Sequence, residues 1–240
     1  MAKQRQPLRE VNGTVYLRLP QKTHIIQPGE DIAEIAERYT REARLPGDII
    51  VVAESPTAIS QGRAIPESSI RIGLLARLLW RTVRKVPYGI GLRSPATMQC
   101  AINECGSLRI LAAAAAGAVG KLLGRRGDFY RVAGMQAATI DAAHTSPVPP
   151  YDQCVILGPK DPDGVARRIL ERTGCQSAIM DINDIGGSWA LGATEGIDRK
   201  LLEDIMRDNP MGQKAECTPL SLVRKVSPAS AAPSPAASSS

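Results

Sequence analysis

The chain has 240 residues, of which 43% are hydrophobic, 22% charged and only 3% aromatic. This composition excludes wholesale disorder, and no apolar run approaches the roughly 18 residues that a membrane span requires. The net charge is +6, and the five cysteines are odd in number and scattered, which argues against a secreted disulfide framework. We therefore expect a soluble, cytoplasmic protein with reduced thiols.

The first quarter of the chain predicts a strand, a helix and a second strand. The alternation in GTVYLRLP indicates a strand over residues 13–20. Apolar residues at helical spacing follow Asp31, a helix-capping residue, and the helix ends by Pro46. The β-branched run Asp48–Ala53 predicts a buried strand, and residues 54–66 predict a polar loop at its carboxyl end, where open sheets often bind ligands.

Two further helices are predicted in the middle of the chain. Residues 69–86 predict a long amphipathic helix. Its apolar face would consist of Leu74, Leu75, Leu78, Leu79 and Val83. Residues 110–123 are mostly small and apolar, so we expect a helix that is buried or lies at a subunit interface.

Positive charge is concentrated in the first part of the sequence. Residues 1–131 carry 20 Lys and Arg against 11 Asp and Glu, whereas residues 132–240 carry 10 against 13. Between Arg71 and Arg93 there is no acidic residue. Such a basic field suits nucleic acid, anionic lipid or a phosphorylated metabolite, and an ordinary solvated helix face is the alternative.

The second half predicts a further alternating series of elements. In chain order these are a strand at Val155–Leu157, a helix capped by Asp163 and ended by Gly174, a strand at Ser177–Ile182, a glycine-bearing turn over 183–192, a helix over 197–208 and a strand over 219–226. Residues 227–240 contain only Ser, Pro and Ala, which predicts a disordered tail. We therefore expect a flexible N-terminus over 1–12, one domain over 13–226 and this tail.

The candidate chemistry depends on oxygen ligands. The sequence has no phosphate-binding Gly-Lys-Ser/Thr loop, dinucleotide fingerprint or Gly-x-Ser-x-Gly elbow, and its two histidines are far apart. Asp141 and Asp181 each follow a short apolar run, and two carboxylates at strand ends would suit Mg²⁺ or Mn²⁺. Asn183, Asp184 and Gln213 are further oxygen donors. The alternative is that each aspartate only caps a turn.

Five segments occur in an order that is typical of one protein family. The first, PGEDIAEIAERYTREARLPGDIIVVAESPTAISQGR, combines a capped acidic helix, a hydrophobic strand and a polar loop that ends in Gly-Arg. IDAAH, LGPKDPDGVARRILERTG, AIMDINDIGG and MGQKAECTP follow it. These segments resemble the opening and the Asp-Ala-x-Asn, Asp-Pro-Asp, Asp-Thr-Asn and Met-Gly-Gln motifs of the coenzyme F-420 gamma-glutamyl ligases. The chain is identified as a divergent member of that family.

The resemblance implies a fold and a reaction. The fold would be α+β, a mixed gamma-glutamyl ligase-like fold with a disordered C-terminal tail, in an intertwined homodimer. The reaction would join L-glutamate to a carboxylated, phosphate-bearing metabolite through an amide bond. GTP would phosphorylate the carboxyl group, and the amine of glutamate would displace phosphate from the acyl phosphate. Two divalent cations, Mg²⁺ or Mn²⁺, would offset the phosphate charge.

The resemblance also implies roles for individual residues, although it assigns no catalytic side chain. Asp141 and Asp181 would hold one metal ion, and Gln213 would hold the second. The nucleotide-binding positions would be Leu19, Pro20, Gln21, Ser55, Thr57, His144, Met211 and Gly212. Asn183, Asp184 and Arg63 are accessory candidates. The alternatives are a turn residue for His144 and a solvent-facing loop amide for Gln213.

The chain departs from the family pattern at positions that bind phosphate and metal. The loop after the first long strand contains no lysine, and Gln61 stands just before Gly62. Ile182 stands where the family has a metal-binding threonine. Weaker phosphate binding would have to be offset by Arg63, Arg125, Arg126 or Lys214.

Three functions of different classes follow from these observations. The first is a divergent GTP- and metal-dependent ligase. The second is a non-catalytic homologue that binds a nucleotide or a phosphorylated metabolite. The third is a nucleic-acid or membrane-surface adaptor, which is disfavoured because almost no aromatic residues accompany the basic field. The sequence identifies neither the acceptor nor the choice between GTP and ATP.

Overall fold

The computed structural model describes residues 5–81, 83, 91–125, 127–184, 187–212 and 214–226. The predicted tail, Gln213 and Arg126 lie outside the described residues. The end of the predicted helix over 69–86 lies outside them as well.

Within the described residues, the chain forms eight strands. They are β1 (Leu8–Val11), β2 (Thr14–Gln21), β3 (Ile49–Ala53), β4 (Ala64–Pro66), β5 (Cys154–Ile156), β6 (Gln176–Ile182), β7 (Ser188–Ala193) and β8 (Leu220–Val226). Six of them form one sheet in the order β1-β2-β8-β3-β6-β7, and β4 pairs with β5. β3 and β6 are parallel, whereas the other neighbouring strands are antiparallel.

The same residues form nine α-helices. They are α1 (Ile32–Thr40), α2 (Glu54–Ser60), α3 (Leu74–Leu79), α4 (Pro95–Cys105), α5 (Ser107–Leu122), α6 (Asp128–Ala133), α7 (Met135–Ala138), α8 (Pro162–Thr173) and α9 (Arg199–Met206). Together with the sheet they form a mixed α+β fold, which confirms the predicted fold class.

Helices pack on both faces of the six-stranded sheet. Ile35 of α1 and Ile169 of α8 belong to one buried cluster together with Ile50 of β3. Leu202 of α9 belongs to another cluster, together with Val51 of β3. Because neighbouring residues of a strand point to opposite faces, β3 contributes to two layers of the core.

A third cluster joins the helices α3 to α7 to the two-stranded sheet. It includes Met98 of α4, Ile110 of α5 and Phe129 of α6, which surround Val155 of β5. The helices of this layer are formed by the residues between β4 and β5. It therefore positions the segment that leads from α7 into β5.

Residues 54–66 form α2 and β4, so the predicted loop is wrong. No side chain caps the start of α2, and its sequence ESPTAIS is rich in residues typical of loops. Inside the helix, the Thr57 hydroxyl donates to the Ala53 carbonyl at 2.8 Å, and the Ser60 hydroxyl donates to the Thr57 carbonyl at 2.8 Å. The polar side chains are thus satisfied within the helix, which apolar periodicity alone does not indicate.

Two strands lie where the sequence analysis predicts none. Leu8–Val11, expected to be flexible, form β1 and pair with β2. Ser188–Ala193, within the predicted turn over 183–192, form β7 at the edge of the sheet. The glycine of this strand serves close packing, because a Cβ on Gly192 would lie 2.3 Å from the carbonyl carbon of Pro162 in α8.

The amphipathic helix predicted over residues 69–86 is much shorter in the structure. α3 is six residues long, and its buried residue is the small Ala76. Leu74 and Leu78, predicted to form the apolar face, are 74% and 62% exposed. Packing through a small residue brings α3 close to α4 and leaves Leu74 and Leu78 exposed, so these two positions of the predicted apolar face are wrong. The other three residues of that face, Leu75, Leu79 and Val83, pack in the helical cluster as predicted.

Helix α5 is longer and more exposed than predicted. It begins at Ser107 rather than at residue 110, and Leu108 and Leu122 are 84% and 87% exposed. Its buried face includes Gly120, where a Cβ would lie 2.2 Å from Oδ2 of Asp128. The helix is therefore only half buried within the chain, and its place at a subunit interface stays a prediction.

The cap of α8 is Asp161 rather than the predicted Asp163. A carboxylate oxygen of Asp161 accepts from the backbone N–H of Gly164 at 3.0 Å. Asp163 instead accepts from the backbone N–H of Ala193 at 2.9 Å and pairs with Arg199 at 2.5 Å. The Asp-Pro-Asp loop thus ties α8 to β7 and α9.

We expect Asp161→Ala to lower the free energy of unfolding by about 1–2 kcal/mol. The substitution removes the cap of α8. It also places alanine at a φ of +45°, a backbone conformation that is unfavourable for a side chain that makes no local hydrogen bond. Asp161→Asn is the matched control, since its amide oxygen accepts the same bond and Asn tolerates positive φ. Urea unfolding followed by circular dichroism would compare the variants, and equal losses for Ala and Asn would contradict the prediction.

Among the described residues, no single helix is both long and apolar enough to cross a membrane. The helices α4 and α5, counted together across the 119° bend between them, have the length and apolar composition of a membrane span, but by these two criteria only.

Candidate functional site

A cavity of about 610 Å³ lies beside the carboxyl ends of the parallel strands β3 and β6. Its wall is completed by residues from segments 23–26, 138–146 and 209–219. Small-molecule sites commonly have volumes of about 300–1,000 Å³ and lie at the carboxyl ends of strands in open sheets. The cavity therefore lies where the sequence analysis places a ligand, at the end of β3.

Asp141 and Asp181 both line this cavity although they are far apart in the sequence. Asp181 is the penultimate residue of β6. Asp141 forms a two-bond bridge with Ile156, in which its N–H donates at 2.8 Å and its carbonyl accepts at 3.0 Å. The Ser55 hydroxyl donates to Oδ2 of Asp141 at 3.3 Å, which links Asp141 to the start of α2.

Glu54 is a third carboxylate near these two, although it does not line the cavity, and the sequence analysis does not identify it. In the parallel pair, Ala53 of β3 lies opposite Met180 of β6, so Glu54 and Asp181 are the next residues along the two strands. Glu54 is only 7% exposed, and its Oε1 is buried without a hydrogen-bond partner. The sequence does contain an indication of this residue, because Glu54, like Asp181, comes directly after a run of buried apolar residues.

Burial raises the pKa of all three carboxyl groups. For Asp141, burial and then the charge of Asp181 raise the pKa to about 6, against a smaller lowering effect of the Ser55 hydrogen bond. The pKa of Glu54 is raised well above its ordinary range by burial and by the charges of Asp181 and Asp141. Burial also raises the pKa of Asp181. Carboxylates with these shifts repel one another when ionised, and a bound cation would relieve that repulsion.

We expect Asp141→Asn to stabilise the protein more at neutral pH than at acidic pH. The raised pKa means that the folded state binds more protons than the unfolded state between about pH 4 and pH 6. Stability contributed by protonated Asp141 is therefore lost as pH rises through that window, by at most about 3 kcal/mol. The asparagine variant has no proton to lose, so its advantage grows with pH.

Urea unfolding in EDTA on both sides of this window would measure the effect. Asp163→Asn is the control, since it removes an exposed carboxylate that lies outside the cavity lining. An Asp141→Asn difference that stays constant with pH would contradict the prediction.

The structure brings some of the predicted site residues to the cavity and leaves others elsewhere. The cavity is lined by Ser55, Asp141, Asp181, Asn183, Met211 and Gly212. It is not lined by Leu19, Pro20, Gln21, Thr57, His144, Asp184 or Arg63. The wall nearest the first predicted nucleotide segment is formed by Thr23 to Ile26 instead, just after β2 ends.

The residues outside the lining have structural contacts. Thr57 is fully buried and hydrogen-bonds within α2. His144 is exposed in a left-handed turn with a φ of +68°, which agrees with its alternative interpretation as a turn residue. Asp184 accepts a hydrogen bond from the side-chain amide of Asn209 at 2.7 Å.

The cations that would replace the missing lysines are mostly engaged elsewhere. Arg63 is buried, donates to the Gly158 carbonyl and forms an ion pair with Glu104 at 2.5 Å. Arg125 pairs with Asp128 at 3.3 Å. Lys214 lines the cavity and is the member of this predicted set that the structure places there.

The described residues contain no ready group of three His, Cys, Asp or Glu around one metal position. Ile182 lines the cavity with an apolar side chain and supplies no side-chain oxygen. The predicted ligand Gln213 lies outside the described residues. The metal site therefore stays a prediction, with Asp141 and Asp181 as its predicted ligands at the cavity and the nearby Glu54 as a further candidate.

Comparison with known proteins gives one family. A family model described as F420-0:Gamma-glutamyl ligase matches residues 21–197, which is more than half of the chain. The match includes Glu54, Asp141, Asp181 and Trp189. No curated protein matches the sequence at a significant level.

Proposed function

Because the chain belongs to the F420-0:gamma-glutamyl ligase family, we propose that it joins L-glutamate to a carboxylated metabolite through an amide bond. The observation that carries this proposal is that Asp141 and Asp181 line one large cavity, with the buried carboxyl group of Glu54 near enough for both charges to raise its pKa. The metabolite of the family description, the F-420-0 coenzyme, is the first acceptor to test.

The proposal includes a divalent cation, Mg²⁺ or Mn²⁺, at the three carboxylates. The buried, unpartnered Oε1 of Glu54 fits this cation, because such an oxygen is costly unless it gains a partner. Carboxylate oxygens are the ligands that these hard cations prefer. When bound, the cation would offset the charge of the transferred phosphate. Some rotation of the three side chains would be needed, since they form no ready group as they stand.

The chain's own residues would bind and orient the nucleotide. Met211, Gly212 and Lys214 line one wall of the cavity, where Lys214 would contact a phosphate. The Ser55 hydroxyl holds Asp141 in place through its hydrogen bond. GTP is proposed as the co-substrate that activates the carboxyl group, because a free carboxylate is a poor electrophile for the amine of glutamate.

A homodimer is also part of the proposal. The exposed leucines of α5, Leu108 and Leu122, offer apolar surface that a second copy would cover. Analytical ultracentrifugation of the full chain would measure its oligomeric state directly.

The proposal is tested by a ligation assay on the full-length chain. GTP or ATP, L-glutamate and the F-420-0 coenzyme would be combined with Mn²⁺ or with EDTA, and amide product and phosphate would be measured together. Metal-dependent formation of both products supports the ligase. Nucleotide binding without any turnover across a panel of carboxylated acceptors would favour the non-catalytic homologue, to which the apolar Ile182 and the engaged Arg63 point. Absence of both binding and turnover would contradict the proposal.

A further inference from the structure

A half-exposed tryptophan lines the cavity on the side of the carboxylates. Trp189 lies on the edge strand β7 and is 47% exposed. The chain's other tryptophan, Trp80, packs against the helical cluster of α3 to α7. A large indole that stays half exposed beside a cavity offers a flat apolar surface to whatever enters it.

The sheet register fixes where this indole lies. Trp189 pairs directly with Asp181 in the antiparallel pair of β7 and β6. Directly paired residues of an antiparallel pair project from the same face of the sheet. The indole therefore lies beside a carboxylate that is proposed to hold the cation.

Gly187 gives the indole its space. A Cβ on this residue would lie 2.4 Å from Cη2 and 2.5 Å from Cζ3 of Trp189. Two hydrogen bonds with Asn183, at 3.0 Å and 2.9 Å, hold the backbone of Gly187 in place. The indole thus rests on a fixed glycine surface.

We infer that Trp189 is a stacking platform for a planar heteroaromatic ring of the bound ligand. This inference rests on the proposed function only in requiring a ring-bearing ligand in the cavity. Two sources supply such a ring, the purine of a nucleotide and the fused ring of the acceptor. Trp189 sets specificity by its contact with the ring, while Lys214 and a cation held by the carboxylates would contact the phosphates.

The test measures binding without catalysis. In a Trp80→Phe background, Trp189 is the single tryptophan, so its fluorescence reports on the cavity alone. GTP, ATP and flavin mononucleotide are the ring-bearing probes, and inorganic tripolyphosphate is the ring-free control, all with Mn²⁺. Calorimetry on the full-length chain gives the affinities of wild type, Trp189→Ala, Trp189→Phe and Gly187→Ala. Circular dichroism and thermal unfolding establish that each variant is folded.

Stacking predicts a specific pattern of results. At least one ring-bearing probe quenches the fluorescence of Trp189. The Trp189→Ala substitution weakens the binding of that same probe by about tenfold or more. Trp189→Phe loses less, and Gly187→Ala weakens binding although the tryptophan is still present. Tripolyphosphate binds wild type and Trp189→Ala equally. Comparison of the affinity lost by the nucleotides with that lost by the flavin, on Trp189→Ala, identifies which ring stacks on Trp189.

Two outcomes would overturn the inference in distinguishable ways. Unchanged affinity of every ring-bearing probe for Trp189→Ala refutes the platform and leaves the proposed ligase intact. No calorimetric binding of any ring-bearing probe to the wild-type chain refutes both, since the cavity then takes no such ligand.

Discussion

Asp181→Asn is expected to lower the rate of metal-dependent amide formation by about a hundredfold or more. Asp181 lines the cavity, pairs with Trp189 and raises the pKa of both Asp141 and Glu54 through its charge. Removing its charge removes a ligand to the cation, and with it several kcal/mol of stabilisation of the phosphate charge in the transition state.

The same substitution is expected to preserve or increase stability. Asparagine has nearly the same shape as aspartate, and its neutral side chain relieves the repulsion among buried carboxylates. Loss of activity together with unchanged or higher stability would separate a role in the site from a folding defect. The assay is amide formation by the full-length chain, with Asp163→Asn as the control that should retain activity. Wild-type activity in Asp181→Asn would contradict the prediction.

Asp208→Ala is expected to lower the free energy of unfolding by about 3 kcal/mol or more. Arg18 on β2 is only 1% exposed, and its guanidinium forms an ion pair with Asp208 and donates to the carbonyls of Ile205, at 2.9 Å, and Gln6. Among the described residues, Asp208 is its carboxylate partner. Truncating Asp208 leaves a buried positive charge without a counterion, which is among the costliest single changes.

Substitution of the other partner of this ion pair should lower the free energy of unfolding by less. Arg18→Met replaces the buried charge by an apolar chain of similar length, while Asp208 keeps its ion pair with Arg9 at 3.0 Å and part of its exposure to solvent. The double variant Arg18→Met/Asp208→Ala is therefore expected to be more stable than Asp208→Ala alone. Arg9→Met, which breaks a more exposed pair, should change stability by about 1 kcal/mol or less. Urea unfolding would rank the four variants, and an Asp208→Ala loss no larger than that of Arg9→Met would contradict the prediction.

Several elements with a clear hydrophobic pattern could be predicted closely from the sequence. β3, β6, β8 and α9 lie within two residues of their expected bounds, because apolar residues on each mark the buried face. The edge strand β7 could not be predicted in this way. Its Gly192 resembles a turn glycine in the sequence, whereas its actual role is to allow contact with the backbone of Pro162, a contact between distant parts of the chain.

The candidate site, like the fold, contains some residues that the sequence indicates and others that it does not. Asp141 and Asp181 could be identified because each ends an apolar run, and the structure brings both to one cavity. Arg63 was a reasonable phosphate ligand from its place in the loop, but its partner Glu104 lies 41 residues away and could not be inferred locally. Glu54 is hard to identify from the sequence, because the segment ESPTAIS is typical of a loop and does not indicate a helix that brings a carboxylate beside β6.

The position of β8 in the sheet has a consequence for how the protein is made. β8 is formed by the last described residues, yet it lies between β2 and β3 in the interior of the sheet. Until residues 220–226 emerge from the ribosome, β2 and β3 present unpaired edges, and an exposed edge invites pairing with other chains. The six-stranded sheet is therefore incomplete until the last of its strands in chain order is synthesised, and chaperones can bind the two unpaired edges before β8 inserts.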